Sequence, residues 1–270
     1  MRLGFPPLPK ECQTLLMIWQ HHHLPQVSST NRWALEWLRM NVPQGPVLFT
    51  TDHQTEGRGQ RERRWSSEAG RDVCLSMAFP VQDGWKPAEV NMQVALAVRE
   101  TMLHHLPASQ SSKAVQVKWP NDILIWHAGE HRKVAGILVE NMWRGSQWAA
   151  AVVGVGINVD SSRLTRSYPA VSLSEAWHVA VDPAVLARSV GEQLAKRLNA
   201  IGHGTSEDYH DALFARGEAR TFLVHEREWR GRLLEINEDG LGRFEWEVQP
   251  ELADMPPAEW LPSSEVQWCW

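Results

Sequence analysis

Apolar residues recur along this chain first at helical spacing and then at strand spacing. After a proline-containing lead, Ser28-Ser29-Thr30-Asn31 offers several helix caps, and Trp33, Ala34, Trp37 and Leu38 follow at i, i+1, i+4 and i+5. That spacing predicts a helix. Pro46 to Thr51 reads as a strand, and the polar stretch from Asp52 to Gly70, with Gly57, Gly59, Arg58, Arg61, Arg63 and Arg64, reads as a long loop. Val73, Leu75, Met77 and Phe79 alternate with the smaller Cys74, Ser76 and Ala78, the pattern of a strand buried on both faces. Pro87 opens a helix carrying Val90, Val94, Ala97, Val98 and Met102. Val115 to Trp119, Ile123 to Trp126, Val134 to Trp143 and Trp148 to Val159 then supply four strands, joined so tightly that they must mostly pair antiparallel. Asp182-Pro183 starts a helix with Leu186, Val190, Leu194 and Leu198, and a shorter helix runs from Thr205 to Phe214. From Arg220 onward the pattern is of strands, with a Glu238-Asp239-Gly240 turn. The expectation is an α+β body over residues 1–215 and a small β unit over 216–270, packed together because no low-complexity linker separates them.

Composition narrows the class. The chain has 270 residues, 43% hydrophobic and 22% charged, as ordinary globular enzymes have. Its 27 basic residues stand against 32 acidic ones for a net charge of −5, which argues against a nucleic-acid partner bound over the whole surface; any basic site is local. Cys12, Cys74 and Cys269 form no CxxC pair, so neither a disulfide framework nor a zinc knuckle is indicated and a reducing cytoplasm is expected. The longest apolar run, Trp148 to Ile157, is half of the roughly 20 residues a membrane span needs, and Met1 to Gln20 lacks the order of a signal peptide. No membrane partner is expected. The 15 tryptophans form no repeat.

Several segments carry candidate chemistry. The loop from Gln54 to Trp65 combines glycines, which let backbone N–H groups approach an anion, with guanidiniums that bind carboxylate or phosphate. Taken alone it reads equally as a solvated surface loop, with a nucleic-acid patch as a third option. Lys118-Trp119-Pro120-Asn121-Asp122 places a lysine at the end of an apolar strand and an acid beyond a proline-fixed turn, either a site or a turn whose Asn and Asp bond their own backbone. Lys133 precedes a strand with an interior Gly136, and Gly154-Val155-Gly156-Ile157-Asn158 repeats the theme, together describing a floor for an extended small molecule. His21-His22-His23 suggests a metal site, but adjacent residues on an extended segment alternate sides, and a polar strand or loop is the expectation.

These blocks resemble the biotin protein ligases. The likeness rests on Ser29-Thr30-Asn31, on Gln54 with Gly57-Arg58-Gly59 and Trp65, on Lys118 to Asp122, on Lys133 before Ala135-Gly136-Ile137-Leu138, and on Gly156-Ile157-Asn158, in the family's order and spacing. It extends from about residue 20 to the end, since the small C-terminal unit also fits. The resemblance implies a mixed sheet with helices like that of class II aminoacyl-tRNA synthetases plus a small C-terminal barrel. It implies two-step chemistry: biotin attacks the α-phosphate of ATP, with Mg²⁺, to give biotinyl-adenylate, and a lysine of a biotin carboxyl carrier domain, of acetyl-CoA carboxylase or a related carboxylase, then takes the biotinyl group. Cations are needed because a carboxylate must approach a polyphosphate.

By the same resemblance Lys133 lies at the biotin carboxylate and α-phosphate, Arg58 and Arg61 reach the same anionic region, and Asn158 faces the nucleotide phosphates and the metal. Thr30 and Gln54 are the hydrogen-bonding candidates for the urea-like ring, with Ser29 and Asn31 supporting the turn, Gly57 in the biotin loop, the apolar chain over Gly136 and Trp65 against the intermediate or the loop base. Lys118 and Asp122 sit where nucleotide and incoming lysine meet, Asp122 orienting or deprotonating that lysine. The commonest loop form of the family reads Gly-Arg-Gly-Arg-Arg-Gly; here Gln60 and Glu62 replace an arginine and a glycine. The loop from Glu56 to Arg64 is expected to be mobile when empty and ordered over bound adenylate. About 28 residues precede the Ser-Ser-Thr-Asn turn, against the roughly 60 that a winged-helix DNA-binding domain needs, so a ligase without transcriptional control is expected. The rivals are a lipoate or octanoate ligase or transferase and a non-catalytic biotin- or anion-binding protein. Oligomeric state is left open.

Overall fold

Two-residue alternation sorts each strand's side chains onto two faces, and those faces meet different layers. The computed structural model describes residues 20–61, 63–106, 111–162, 169–202, 205–247 and 256–269. Strands β1 (Gln20–Val27), β2 (Val47–Gln54), β3 (Val73–Pro80), β4 (Val115–Lys118), β5 (Asp122–His127), β6 (Glu130–Arg144) and β7 (Gln147–Ile157) form one sheet in the order β1-β2-β3-β7-β6-β5-β4. Its neighbours pair antiparallel except β1 with β2, which run parallel.

One face holds the main core. Leu75, Met77 and Phe79 of β3 and Ala151, Val153 and Val155 of β7 pack there with Val90, Val98, Leu186 and Val190 from α2 (Pro87–His105) and α4 (Pro183–Leu198). Helix α4 begins as expected: the Asp182 carboxylate accepts from the backbone N–H of Ala184 at 2.8 Å and of Val185 at 3.2 Å, a cap worth about 1 kcal/mol. The opposite face is covered by α1 (Thr30–Met40), whose Ala34 and Leu38 meet Phe49, Ala78, Ala150 and Val152. Beyond the start of α1, β3 and β7 carry small residues on that face, Cys74, Ser76, Gly154 and Gly156, and the space they leave is where the site forms.

Strand β1 and helix α3 (Leu173–Trp177) have no counterpart in the spacing. Strand β1 is exposed along most of its length at the sheet edge, so it shows no hydrophobic alternation, and Pro25 is tolerated there. The histidine triplet lies on it. His22 stacks on Phe49 at 5.2 Å, His21 meets the Thr50 hydroxyl at 2.8 Å and His23 meets Asp52 at 3.2 Å. Helix α3 is too short for a periodic signal.

After α5 (Thr205–Ala212) the expected C-terminal β unit is a second sheet, ordered β11-β10-β9-β8-β12 and antiparallel throughout. It comprises β8 (Arg220–Val224), β9 (Arg227–Ile236), β10 (Gly242–Trp246), β11 (Trp260–Leu261) and β12 (Val266–Trp268). An aromatic seam docks it on the body: Phe244 lies 6.1 Å from Trp119, Trp268 lies 5.6 Å from Phe214, and the Trp268 indole N–H donates to the Trp119 carbonyl at 3.2 Å.

Candidate active site

The register of four strand pairs builds the floor. Cys74 stands opposite Gly156, Gly156 opposite Gly136, Gly136 opposite Asp122, and Asp122 opposite Lys118, so these five residues form one row across β3, β7, β6, β5 and β4. The cavity above it has a volume of about 760 Å³.

Lys133 joins this row through a bulge. It is three positions from Gly136, which in a regular strand would put the two on opposite faces. In β6, however, Ile123 pairs with Ala135 and Leu124 with Lys133, so Val134 is an extra residue in the ladder. The side-chain amine of Lys133 thereby reaches the cavity, 3.3 Å from where a Cβ on Gly136 would stand. It forms an ion pair with Asp122 at 2.5 Å, and Lys118 approaches the other oxygen of the same carboxylate at 3.5 Å. Lys118 and Asp122 are buried. Burial lowers the pKa of Lys118, an effect that Asp122 opposes and Lys133 reinforces. Two ammonium groups on one carboxylate leave a net positive charge at this end.

The turn that carries Asp122 is held from outside. Asn121 bonds across to β6, its side chain donating to the Ile137 carbonyl at 2.8 Å and its own carbonyl accepting from the Ile137 N–H at 2.9 Å. The alternative in which Asn121 serves only its local turn is therefore corrected: tertiary contacts on both sides outcompete it.

The other end of the cavity is neutral and rich in hydrogen-bonding groups. Gln54 Oε1 accepts from the Thr30 N–H at 2.8 Å and from the Thr30 hydroxyl at 3.2 Å. Ser29 occupies the N-cap position of α1 without a side-chain capping bond. Asn31 staples the helix to the sheet rather than supporting a turn, since its amide donates to the Leu138 carbonyl and to Glu140 and its oxygen faces Ser76.

The arginine loop folds over the floor as a hairpin. The Gly59 N–H donates to the Arg63 carbonyl at 2.7 Å and the Trp65 N–H to the Gly57 carbonyl at 3.0 Å. A Cβ on Gly57 would collide with the Trp65 carbonyl oxygen, so glycine is required there for closure. Gly57 serves the loop's own backbone, and the residues that line the cavity flank it at Gln54 and Arg58. Arg58 pairs with Glu140 at 3.1 Å, and Arg61 donates to the Ser263 carbonyl at 2.7 Å. Glu62 lies outside the described residues.

The Trp65 indole lies across the floor, against Gly136 and Gly156, where any Cβ would clash with its ring. The surface over Gly136 expected for an apolar ligand chain is thus covered by indole, with the Lys133 ammonium 5.7 Å from the ring centre. Beneath it, burial pushes the Cys74 thiol up to about 11. Asn158 closes the far wall, its N–H donating to the Val134 carbonyl at 2.9 Å and its side chain to the Val171 carbonyl at 3.4 Å.

The cavity wall therefore gathers Ser29, Thr30, Asn31, Gln54, Arg58, Arg61, Trp65, Lys118, Asp122, Lys133, Gly136 and Asn158 from the sequence reading, and leaves out Gly57. Sequence reasoning missed the contribution of Ser263, Val266, Gln267 and Trp268, which arrive by docking of the second sheet and carry no local signal. It also missed Glu140 and Ser76, which only the strand register places behind Asn31. A neutral end, an apolar floor and a cationic end fit an elongated ligand with an acidic terminus.

The biotin/lipoate A/B protein ligase family model matches residues 23–158. The chain is 33% identical over 145 residues to the bifunctional ligase/repressor BirA of Escherichia coli, covering 53% of this chain and 42% of that protein. It is 32% identical over 166 residues to the biotin--[acetyl-CoA-carboxylase] ligase of Paracoccus denitrificans, covering 59% of this chain and 65% of that one. The matches thus span less than two thirds of these relatives. The fold is similar to that of a solved biotin protein ligase from Aquifex aeolicus in complex with biotin and ATP, with a TM-score of 0.66 and 21% identity over 93% of this chain and 100% of that one. With the matched segment reaching from the histidine strand through Asn158, and so spanning both ends of the cavity, the chain belongs to the biotin/lipoate A/B protein ligase family.

Proposed function

We propose that this chain is an ATP-dependent ligase that activates biotin as biotinyl-5′-AMP and transfers it to a lysine of a biotin carboxyl carrier domain, of acetyl-CoA carboxylase or a related carboxylase. The observation that carries the reading is the division of the cavity: Thr30 and Gln54 at a neutral end, Lys133 and Lys118 around Asp122 at the other, and the glycine row between them. A ureido ring needs hydrogen-bonding partners when buried, a valeryl chain needs an apolar floor, and a carboxylate meeting a phosphate needs cations.

In the first step a biotin carboxylate oxygen attacks the α-phosphorus and pyrophosphate leaves. Lys133 stabilises the charge that develops there, and Arg58 and Arg61 at the rim neutralise the phosphates. Magnesium enters with ATP; among the described residues no group of three or more His, Cys, Asp or Glu side chains forms a metal cage. In the second step the carrier lysine attacks the biotinyl carbonyl and AMP leaves. Asp122, at the end of the glycine row, is the carboxylate placed to accept a hydrogen bond from the attacking amine and orient it. A cytoplasmic location goes with this reading, and no helix among the described residues is long and apolar enough to cross a membrane.

The test is incubation with ATP, Mg²⁺ and either biotin or lipoate, followed by mass measurement of a purified carrier domain. A mass increase with biotin and ATP together, and not with lipoate, is the expected result. Modification with lipoate alone would reverse the substrate assignment.

A further inference from the structure

Six polar side chains from five elements join end to end between the neutral end of the cavity and its rim. Gln54 Oε1 accepts from the Thr30 hydroxyl at 3.2 Å, and Thr30 Oγ1 lies 2.7 Å from Ser76 Oγ. Ser76 Oγ lies 2.5 Å from Asn31 Oδ1. Asn31 Nδ2 donates to Glu140 Oε2 at 2.9 Å, and Glu140 Oε1 accepts from Arg58 Nη1 at 3.1 Å. Ser76 is fully buried and Asn31 nearly so, and the chain runs past Gly154, where a Cβ would fall on the Asn31 amide.

Its partners fix the orientation of the Asn31 amide. With its oxygen turned to the Ser76 hydroxyl, the Asn31 amide must present its NH₂ to the Leu138 carbonyl and to Glu140. One oxygen of Glu140 is thereby turned to the interior, held by the Asn31 amide. Its second oxygen is left at the rim, where the half-exposed Arg58 guanidinium reaches it. A loop arginine on a flexible stem is thus referred to a fixed point of the sheet.

We propose that Glu140 is the positioning residue of Arg58, setting the guanidinium at the cavity mouth before substrate arrives. This rests on the reading that Arg58 meets the anionic substrates. A single rim ion pair is weak, so the arginine can leave it for a phosphate without a large barrier.

The test uses the full chain. Glu140→Gln keeps one acceptor oxygen, which the buried Asn31 amide claims, and turns an NH₂ toward Arg58. Biotinyl-adenylate formation should fall at least about tenfold while KM for biotin stays within about threefold, because the neutral end is untouched. Arg58→Ala should cost a similar factor, and the double variant should lose no more than about twofold beyond either single, the signature of two residues acting as one. Relaxation of the Arg58 guanidinium nitrogens should show greater mobility in Glu140→Gln, a readout that needs no catalysis. Should Glu140→Gln fail to melt cooperatively, Glu140→Asp, too short to reach both partners, replaces it. An unchanged rate, multiplicative losses in the double variant, or an equally ordered Arg58 would each overturn the proposal. If the wild-type chain forms no adenylate from biotin and ATP, the functional reading fails instead, and Arg58 mobility alone decides the positioning role.

Discussion

Lys133 owes its place to one extra residue in a strand, and its removal isolates the charge from the fold. Lys133→Ala leaves the Lys118–Asp122 pair to hold the turn, so the melting temperature should change little. Adenylate formation, followed by pyrophosphate release, should slow at least about 100-fold, the scale of one preorganised transition-state contact. Near-wild-type turnover would remove Lys133 from its role. Cys74 illustrates the opposite use of a buried group. Its thiol pKa is raised by burial from 9.0 to about 11, so above pH 9 the unfolded chain releases this proton first and stability falls as the pH climbs toward 11. At pH 8 the folded chain should therefore react with iodoacetamide at Cys74 at least about 100-fold more slowly than the urea-unfolded chain, as judged by peptide mass. Equal labelling would show that the floor opens readily.

At the scale of elements, the loop from Glu56 to Arg64 decides how the site closes. Its base is anchored by Glu56, whose N–H donates to the Ser28 carbonyl at 2.8 Å and whose carboxylate pairs with Arg32 at 3.1 Å. Further along, Gly59 and Arg63 bond within the hairpin, while Arg58 pairs with Glu140 and Arg61 donates to the Ser263 carbonyl. Trypsin should cut after Arg58, Arg61, Arg63 or Arg64 in the empty protein, and cleavage should slow at least about tenfold with biotin and a non-hydrolysable ATP analogue. Unchanged cleavage would deny the loop a closing role. How much of this was legible in the sequence depends on what each element buries. Strands β3 and β7 announce themselves because large residues on one face alternate with Cys74, Ser76, Gly154 and Gly156 on the other, and the glycines at 136, 154 and 156 already marked a floor. Strand β1 did not, because an exposed edge imposes no hydrophobic period. The bulge at Val134 was invisible because it is defined by pairing to β5, not by any residue type.

In the molecule as a whole, the boundary proposed near residue 216 divides the sequence rather than the site. Ser263, Gln267 and Trp268 complete the cavity wall, and Trp268 bonds the carbonyl at the start of the turn that carries Asp122. Trp268→Phe keeps a ring in the aromatic seam but leaves the Trp119 carbonyl without this donor, which should cost about 1–3 kcal/mol. Calorimetry should show one transition at lower temperature rather than two, and adenylate formation should fall with it. Two separate transitions would make the second sheet an independent unit. The indole on the glycine row has a last consequence, in the kinetics of entry. Because Trp65 covers Gly136 and Gly156, a ligand that lies on the floor must wait for the ring to move or arrive as it moves. Observed binding rates in stopped-flow should then level off with rising ligand concentration, at the frequency of the ring's own excursion, and Trp65→Ala should make them rise linearly.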